Sequence, residues 1–373
     1  MKQVMGLMAV LASSLSAESA GRWPLWESYV SQFMDGQGRI VDRTEKNRTT
    51  SEAQAYAMFF ALVANDRGNF EKLLNWTQNN LSGGDLASKL PAWNWGVSPE
   101  GRWTVLDPNS ASDADLWMAY VLLEAGRWWG ERRFDEMGSA LADRIAAAEV
   151  AEIPKLGLML LPGARYFKIG DDQFVLNPSY LPLQVLLGVS SHQPAGPWKR
   201  IAARVPEVLH ASAPHGFALD WVRYRASHGF VLEGLPEKKT VASYDAIRVY
   251  LWAGMLAQAT PGRDRILESL GGMSRYLRKH RVPPAIVGLD GAVEDENGSI
   301  GYSAALIPYL EARGESAASA GQCRRLESQL NPLTGLYGKE ARYYDQNLAL
   351  FATAWHAGRY RFNADGSLNL KWR

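Results

Sequence analysis

The chain has 373 residues, 47% of them hydrophobic and 21% charged, which supplies a large core and excludes a disordered chain. A net charge of +1 leaves no basic surplus for a nucleic-acid partner. A single cysteine, Cys323, excludes an internal disulfide and a zinc site built from cysteines.

The first residues, Met1-Lys2, precede an apolar stretch from Val4 to Ala12 and small residues from Ser13 to Ala20. This reads as a secretory signal peptide over residues 1–20, cut near Ala17 or Ala20. The apolar stretch is too short to span a bilayer, and no other segment is a transmembrane candidate. Export would place the mature protein outside the cytoplasm. Residues 21–373 contain no evident linker and read as a single domain.

Apolar residues at three-to-four spacing predict helices over 24–35, 51–64, 67–81, 112–129, 131–149, 179–190, 196–212, 242–257, 261–280, 302–313, 316–329 and 342–359. Ser51, Ser112, Ser179 and Ser303 stand as caps. Short connections such as Asn65-Asp66-Arg67-Gly68 pair these helices into six hairpins. The loops entering alternate helices are long and rich in aromatic residues, glycine and proline, such as 82–111 and 281–301. Alternating short and long loops gather the long ones at one end. The expected fold is therefore all-α, two concentric rings of six helices forming an (α/α)6 toroid. Minor short strands are expected in the long loops, at 165–168 and 217–220.

In such a toroid the N-termini of the inner helices converge. Glu52 opens the second helix, Asp113 and Asp115 the fourth, Asn177 to Tyr180 the sixth, and Tyr244 and Asp245 the eighth. Acids from separate hairpins then face one cleft, and a pair of carboxyl groups is what glycosidic hydrolysis requires. Glu52 lies in an almost uncharged stretch, where desolvation and a nearby Asp113 would keep it protonated. Asp245 is followed one turn later by Arg248, whose cation would keep it ionised. Asp115 reads either as a buried acid orienting loop backbone or as a sugar ligand. Fourteen tryptophans are many, and Trp93, Trp95, Trp103, Trp117 and Trp221 fall in or beside the long loops, where an indole can stack on a sugar face. Trp128, Trp129, Trp252 and Trp355 read as packing residues. Tyr180, Tyr244, Arg223 and Asn177 offer polar groups for hydroxyls. The six histidines show no metal-ligand spacing, and P-loop, GxGxxG and GxSxG patterns are absent. The acidic segments at 290–298 read as turns.

The run Ala111-Ser112-Asp113-Ala114-Asp115, with Met118-Ala119 and Ala125, resembles the signature of glycoside hydrolase family 8. Thr50-Ser51-Glu52-Ala53-Gln54-Ala55-Tyr56, Leu90-Pro91-Ala92-Trp93-Asn94-Trp95-Gly96, Asn177-Pro178-Ser179-Tyr180-Leu181-Pro182, Asp220-Trp221-Val222-Arg223-Tyr224 and Ser243-Tyr244-Asp245-Ala246-Ile247-Arg248-Val249-Tyr250 resemble family members found with bacterial cellulose synthases. The likeness runs from about Trp23 to about Phe362.

The resemblance implies the same toroid and an inverting endo-β-1,4-glucanase of the bacterial periplasm that needs no cofactor or metal. In that reading Glu52 is the general acid, Asp245 the water-activating base, and Asp113 the residue holding the sugar beside the cleaved bond. Candidate substrate contacts are Trp93, Trp95, Trp103, Asp115, Asn177, Tyr180, Trp221, Arg223, Tyr244 and Arg248. The implied partners are β-1,4-glucan and a cellulose synthase export complex, with the chain itself a monomer. Chitosan, mixed-linkage glucan or xylan as substrate, and a non-catalytic glycan-binding subunit, are the rival readings.

Overall fold

A helix enclosed by other helices must be apolar on every side. The segment Ser51–Val63 meets that condition, since every residue in it except Glu52 is buried. In the computed structural model, which describes residues 22–235 and 237–372, this segment is one continuous buried helix. The signal-peptide segment falls outside the described residues.

Fourteen α-helices occur among them: α1 (Pro24–Phe33), α2 (Ser51–Val63), α3 (Arg67–Leu81), α4 (Ser112–Trp129), α5 (Arg132–Ala148), α6 (Leu183–His192), α7 (Trp198–Ala202), α8 (Val205–Ala211), α9 (Ile247–Met255), α10 (Arg263–Ser269), α11 (Gly271–Leu277), α12 (Ile300–Ala312), α13 (Ser316–Glu327) and α14 (Tyr343–His356). Helices α2, α4, α6, α9, α12 and α14 touch in that order, and α14 meets α2 again, so the inner ring closes. Outside it, α3 packs on α2, α5 on α4, α7 on α6, α10 on α9 and α13 on α12, while α1 covers α14. This is the (α/α)6 toroid, with the first and last helices forming the sixth pair.

The outer helices bury only one stripe. In α5 it is Phe134, Gly138, Leu141, Ala142 and Ile145, at helical spacing. One continuous buried core runs from Trp23 to Leu370. No helix of the described residues is long and apolar enough to cross a membrane.

Two expected helices are broken, each for a local reason. The 196–212 segment divides into α7 and α8 because Pro206, near the start of α8, can neither donate a backbone hydrogen bond nor continue the preceding turn. The 261–280 segment divides at Leu270. There the N–H of Gly272 donates to Gly216 O at 2.9 Å, and a Cβ on Gly272 would meet His215 O at 2.6 Å. Helix α6 starts at Leu183 rather than 179, because Pro182 interrupts the chain after a single 3-10 turn, Pro178–Tyr180. Helix α9 starts at Ile247 rather than 242, so Tyr244 and Asp245 lie in the turn before it.

The strands are more numerous than expected, sixteen in six small sheets. Both expected positions are displaced: Lys168–Ile169 overlaps 165–168 only at Lys168, and Val222–Arg225 lies just after 217–220, both in one four-stranded antiparallel sheet.

Helices α9 and α12 approach closely at Gly254, where a Cβ would lie 2.2 Å from Tyr309 N and 2.3 Å from Pro308 C. Gly254→Ala therefore lowers the unfolding free energy by about 1–3 kcal/mol, read as a shifted denaturant midpoint.

Candidate active site

The site grows from the starts of three inner helices. Strand residues Thr49–Thr50 lead into α2, and the Thr50 hydroxyl accepts the Ala53 N–H at 3.2 Å. Ser51 N–H donates to Trp93 O at 3.1 Å. Together these fix the first turn of α2 and the carboxyl of Glu52. Tyr343, at the start of α14, donates its hydroxyl to Glu52 Oε1 at 3.3 Å.

Helix α4 begins with Asp113 and Asp115. Two residues along a helix turn through about 200°, so the two side chains leave on opposite faces. Asp113 points to Arg248, whose Nη1 donates to Oδ2 at 2.7 Å, while Asp113 Oδ1 accepts the Ala114 N–H at 2.8 Å. Asp115 points inward, is fully buried, and acts electrostatically on Glu149 as well as Asp113. It does not line the cleft, which corrects its candidacy as a sugar ligand.

Before α9, Asp220 holds a turn. Its Oδ1 accepts the N–H groups of Ser243 (2.9 Å) and Ala246 (2.8 Å), and its Oδ2 accepts the Ser243 hydroxyl at 2.5 Å. That turn presents Asp245, whose side chain is 27% exposed. Asp245 Oδ2 accepts Trp221 Nε1–H at 3.0 Å and an Asn177 amide N–H at 3.4 Å. Burial and the Asp245 charge push Asp220 itself up to about 6.

Arg248 ties the three starts together. It is buried and donates to Glu52, Asp113, Tyr56 and Ser179, and through Nη2 to Asp245 Oδ1 at 3.2 Å. Its guanidinium also lies 5.4 Å from the Tyr180 ring centre. Arg248 lies beside Asp245 as expected, and the one cation faces Glu52 and Asp113 as well.

Three charges of one sign around one of the other leave an excess that protonation relieves. Burial pushes Glu52 up to about 7; the Arg248 cation opposes the shift, and the charges of Asp113 and Asp245 reinforce it. Burial likewise raises Asp113 against the pull of Arg248. Raised folded values mean that the contribution of Glu52 to stability is complete at acid pH and is lost as pH rises through about 7.

Beside this group lies a cavity of about 720 Å³, lined in part by Tyr244, Tyr302, Tyr343, Tyr344 and Asp345. Tyr244 is 54% exposed and stacks on Tyr344 with ring centres 4.2 Å apart, leaving an aromatic face open. Trp221 is half-buried between the rings of Phe167 and Tyr180.

The other tryptophans divide. Trp117 is completely buried among Tyr56, Phe59, Tyr120, Trp252 and Phe351, a core residue rather than a platform. Trp95 and Trp103 stack on one another, with Trp76 of α3 at the edge of Trp95 and Arg39 against both rings. Trp93 contributes its backbone to the α2 start. Arg223 is held in the four-stranded sheet, where its Nε donates to Gly234 O at 2.7 Å. None of Trp93, Trp95, Trp103 or Arg223 forms a side-chain hydrogen bond or ion pair with the acid group in the described residues. The acidic segments near 290–298 close turns: Asp290 accepts the Ala292 N–H and Asp295 the Asn297 N–H.

Sequence reasoning missed Tyr56 and Asp220 as site residues, took Ser179 as a cap, and placed Tyr343 only at the start of the twelfth helix, without a role. Tyr56 stands one turn after Glu52 on the same helix face, a signal that was available. The others are assembled by the fold.

Carboxyls gathered round one guanidinium at the inner-helix starts of a helical toroid suit the hydrolysis of a glycosidic bond. The pattern of glycosyl hydrolases family 8 matches residues 1–358. The chain is 44% identical to an endoglucanase of Xanthomonas axonopodis pv. citri (strain 306), over 99% of this chain and 94% of that protein. It is 41% identical to an endoglucanase of Escherichia coli (strain K12), over 97% of this chain and 95% of the relative. The crystal structure of an endo-1,4-D-glucanase from Vibrio fischeri ES114 superposes with a TM-score of 0.88 at 37% identity, covering 94% of this chain and 99% of that one. The chain belongs to glycosyl hydrolases family 8.

Proposed function

We propose that the protein is an endo-β-1,4-glucanase that hydrolyses β-1,4-glucan with inversion at the anomeric carbon. The observation that carries this is the unequal pair Glu52 and Asp245 on one guanidinium. Glu52, pushed up to about 7, retains a proton to give to the leaving glycosidic oxygen. Asp245 receives N–H bonds from Trp221, Asn177 and Arg248, a set that suits a carboxylate taking a proton from water. An inverting pair stands about 6.5–9.5 Å apart, so that a water fits between base and sugar. Asp113, only 3% exposed, shares Arg248 with Glu52 and raises it by its own charge, and in this reading holds the sugar next to the cleaved bond. The open face of Tyr244, with Trp221 and Tyr180, stacks on glucose rings. The likeness to proteins titled endoglucanase supports the glucan.

Purified protein lowers the viscosity of carboxymethylcellulose faster than it releases reducing ends. Reducing ends without loss of viscosity would contradict endo-cleavage. The same assay on chitosan, mixed-linkage glucan and xylan separates the rival substrates, and tight cello-oligosaccharide binding without cleavage would favour a binding subunit. Because the acid must be protonated, activity declines as pH rises through about 7, a limb read from a pH profile of kcat/KM.

The reading extends to the cell. The basic start and short apolar stretch support export, leaving one catalytic domain over residues 21–373 in the periplasm or medium. There a monomeric enzyme trims glucan as an accessory to cellulose biosynthesis, beside an export complex. N-terminal sequencing of the mature protein tests the cleavage point near Ala17 or Ala20.

A further inference from the structure

Below the cleft a second pair of acids lies wholly inside the protein. Asp115, from the first turn of α4, and Glu149, directly after α5, are both 0% exposed. Glu149 acts on Asp115 and raises it, and Asp113 acts on both, so the two carboxyls lie close together. Glu149 Oε1 accepts the Ser110 hydroxyl at 2.5 Å, but neither Asp115 oxygen nor Glu149 Oε2 has an N–H or hydroxyl donor. The buried cation of the cleft, Arg248, is engaged by Glu52, Asp113 and Asp245.

Carboxylates only accept hydrogen bonds, so two of them in contact need a proton between them. Two full charges at that distance in a dry interior would also repel strongly. We propose that Asp115 and Glu149 share one proton, and that the protonated pair is a positioning device locking the start of α4, and with it Asp113, to the 149–164 hairpin.

The surrounding seam fits that role. Leu161 N–H donates to Glu149 O at 2.8 Å, Ser112 N–H to Pro162 O at 3.0 Å, and Ala164 N–H to Ser110 Oγ at 3.1 Å. A Cβ on Gly163 would lie 2.4 Å from Ser110 O, so the two stretches of backbone are in direct contact. Loss of the proton would place a second negative charge in this seam, two residues along the chain from Asp113. The groups acting on the pair are Asp113, whose charge reaches both members, and the Ser110 hydroxyl on Glu149. Burial raises both carboxyls, Glu149 to about 8, which favours protonation of the pair at neutral pH. Only the consequence for Asp113 rests on the proposed glucanase reading; the shared proton does not.

The test is the number of protons released on unfolding, from the slope of unfolding free energy against pH between pH 6 and 7 on the full chain. In the unfolded chain both acids are ionised there, so the native pair releases its proton. Glu149→Gln supplies an amide donor to an ionised Asp115 and should release about one proton fewer. Asp115→Asn should do the same, and serves if the first variant does not fold. The double amide variant should also release one fewer. Equal proton numbers in wild type and both single variants, or a loss of two in the double variant, would overturn the proposal. The positioning role has its own readout: Glu149→Ala lowers kcat at least ~10-fold with little change in KM, and Glu149→Gln recovers most of it. Wild-type kcat in a folded Glu149→Ala would overturn that half.

Discussion

Glu52→Gln and Asp245→Asn each lose at least ~10³-fold in turnover on soluble cellulose derivatives while circular dichroism and the denaturant midpoint stay near wild type. The reasoning is chemical. Glutamine at 52 still accepts from Tyr343 and still fills the first turn of α2, but it has no proton of suitable acidity for the leaving oxygen. Asparagine at 245 keeps an acceptor for Trp221 and loses the ability to take a proton from water. Cello-oligosaccharide binding should survive both changes, because the stacking surfaces around Tyr244 and Trp221 are untouched. Near-normal turnover in either variant would remove that residue from its role.

Arg248→Met has the largest expected effect on stability. The substitution leaves Asp113 and Glu52 facing one another without a cation, and removing one partner of a buried ion pair destabilises by about 3–5 kcal/mol. The sign of its pH dependence is set by the same carboxyls. Without Arg248 their folded values rise further, so the stability they contribute is present at acid pH and is lost as pH rises. The deficit relative to wild type should therefore be larger at pH 8 than at pH 5, measured by urea denaturation at each pH. A deficit independent of pH would mean that Arg248 acts by packing on Tyr56 and Tyr180 rather than by charge.

Much of the fold was legible because its signals are local. Helical periodicity locates every inner helix, and the alternation of short and long loops places their N-termini together. The breaks at Pro182 and Pro206 carried a local signal that the expected helices 179–190 and 196–212 ignored, since proline stops a helix by its own covalent structure. The break at Gly271-Gly272 was not, because its reason is the backbone of Gly216 coming from another part of the chain.

The site divides in the same way. Glu52, Asp113 and Asp245 stand out by position at helix starts. The spacing of Asp113 and Asp115 already implied opposite faces, so only one of them could serve the cleft. Glu149 gives no signal at all: it is an acid at the end of an outer helix, and its burial comes from the 109–113 and 149–164 segments meeting over it. Trp117 misled because tryptophan serves cores and sugar platforms equally well, and the difference lies in neighbours such as Phe59 and Trp252.

The central claim is that Glu52 and Asp245 act from opposite sides of one β-linkage with water between them. Proton NMR of freshly cleaved cello-oligosaccharide reads this directly, through the anomeric signal that grows first. The α-anomer appearing before mutarotation is the predicted result; the β-anomer appearing first would show retention and contradict the assignment of Asp245 as a base acting on water.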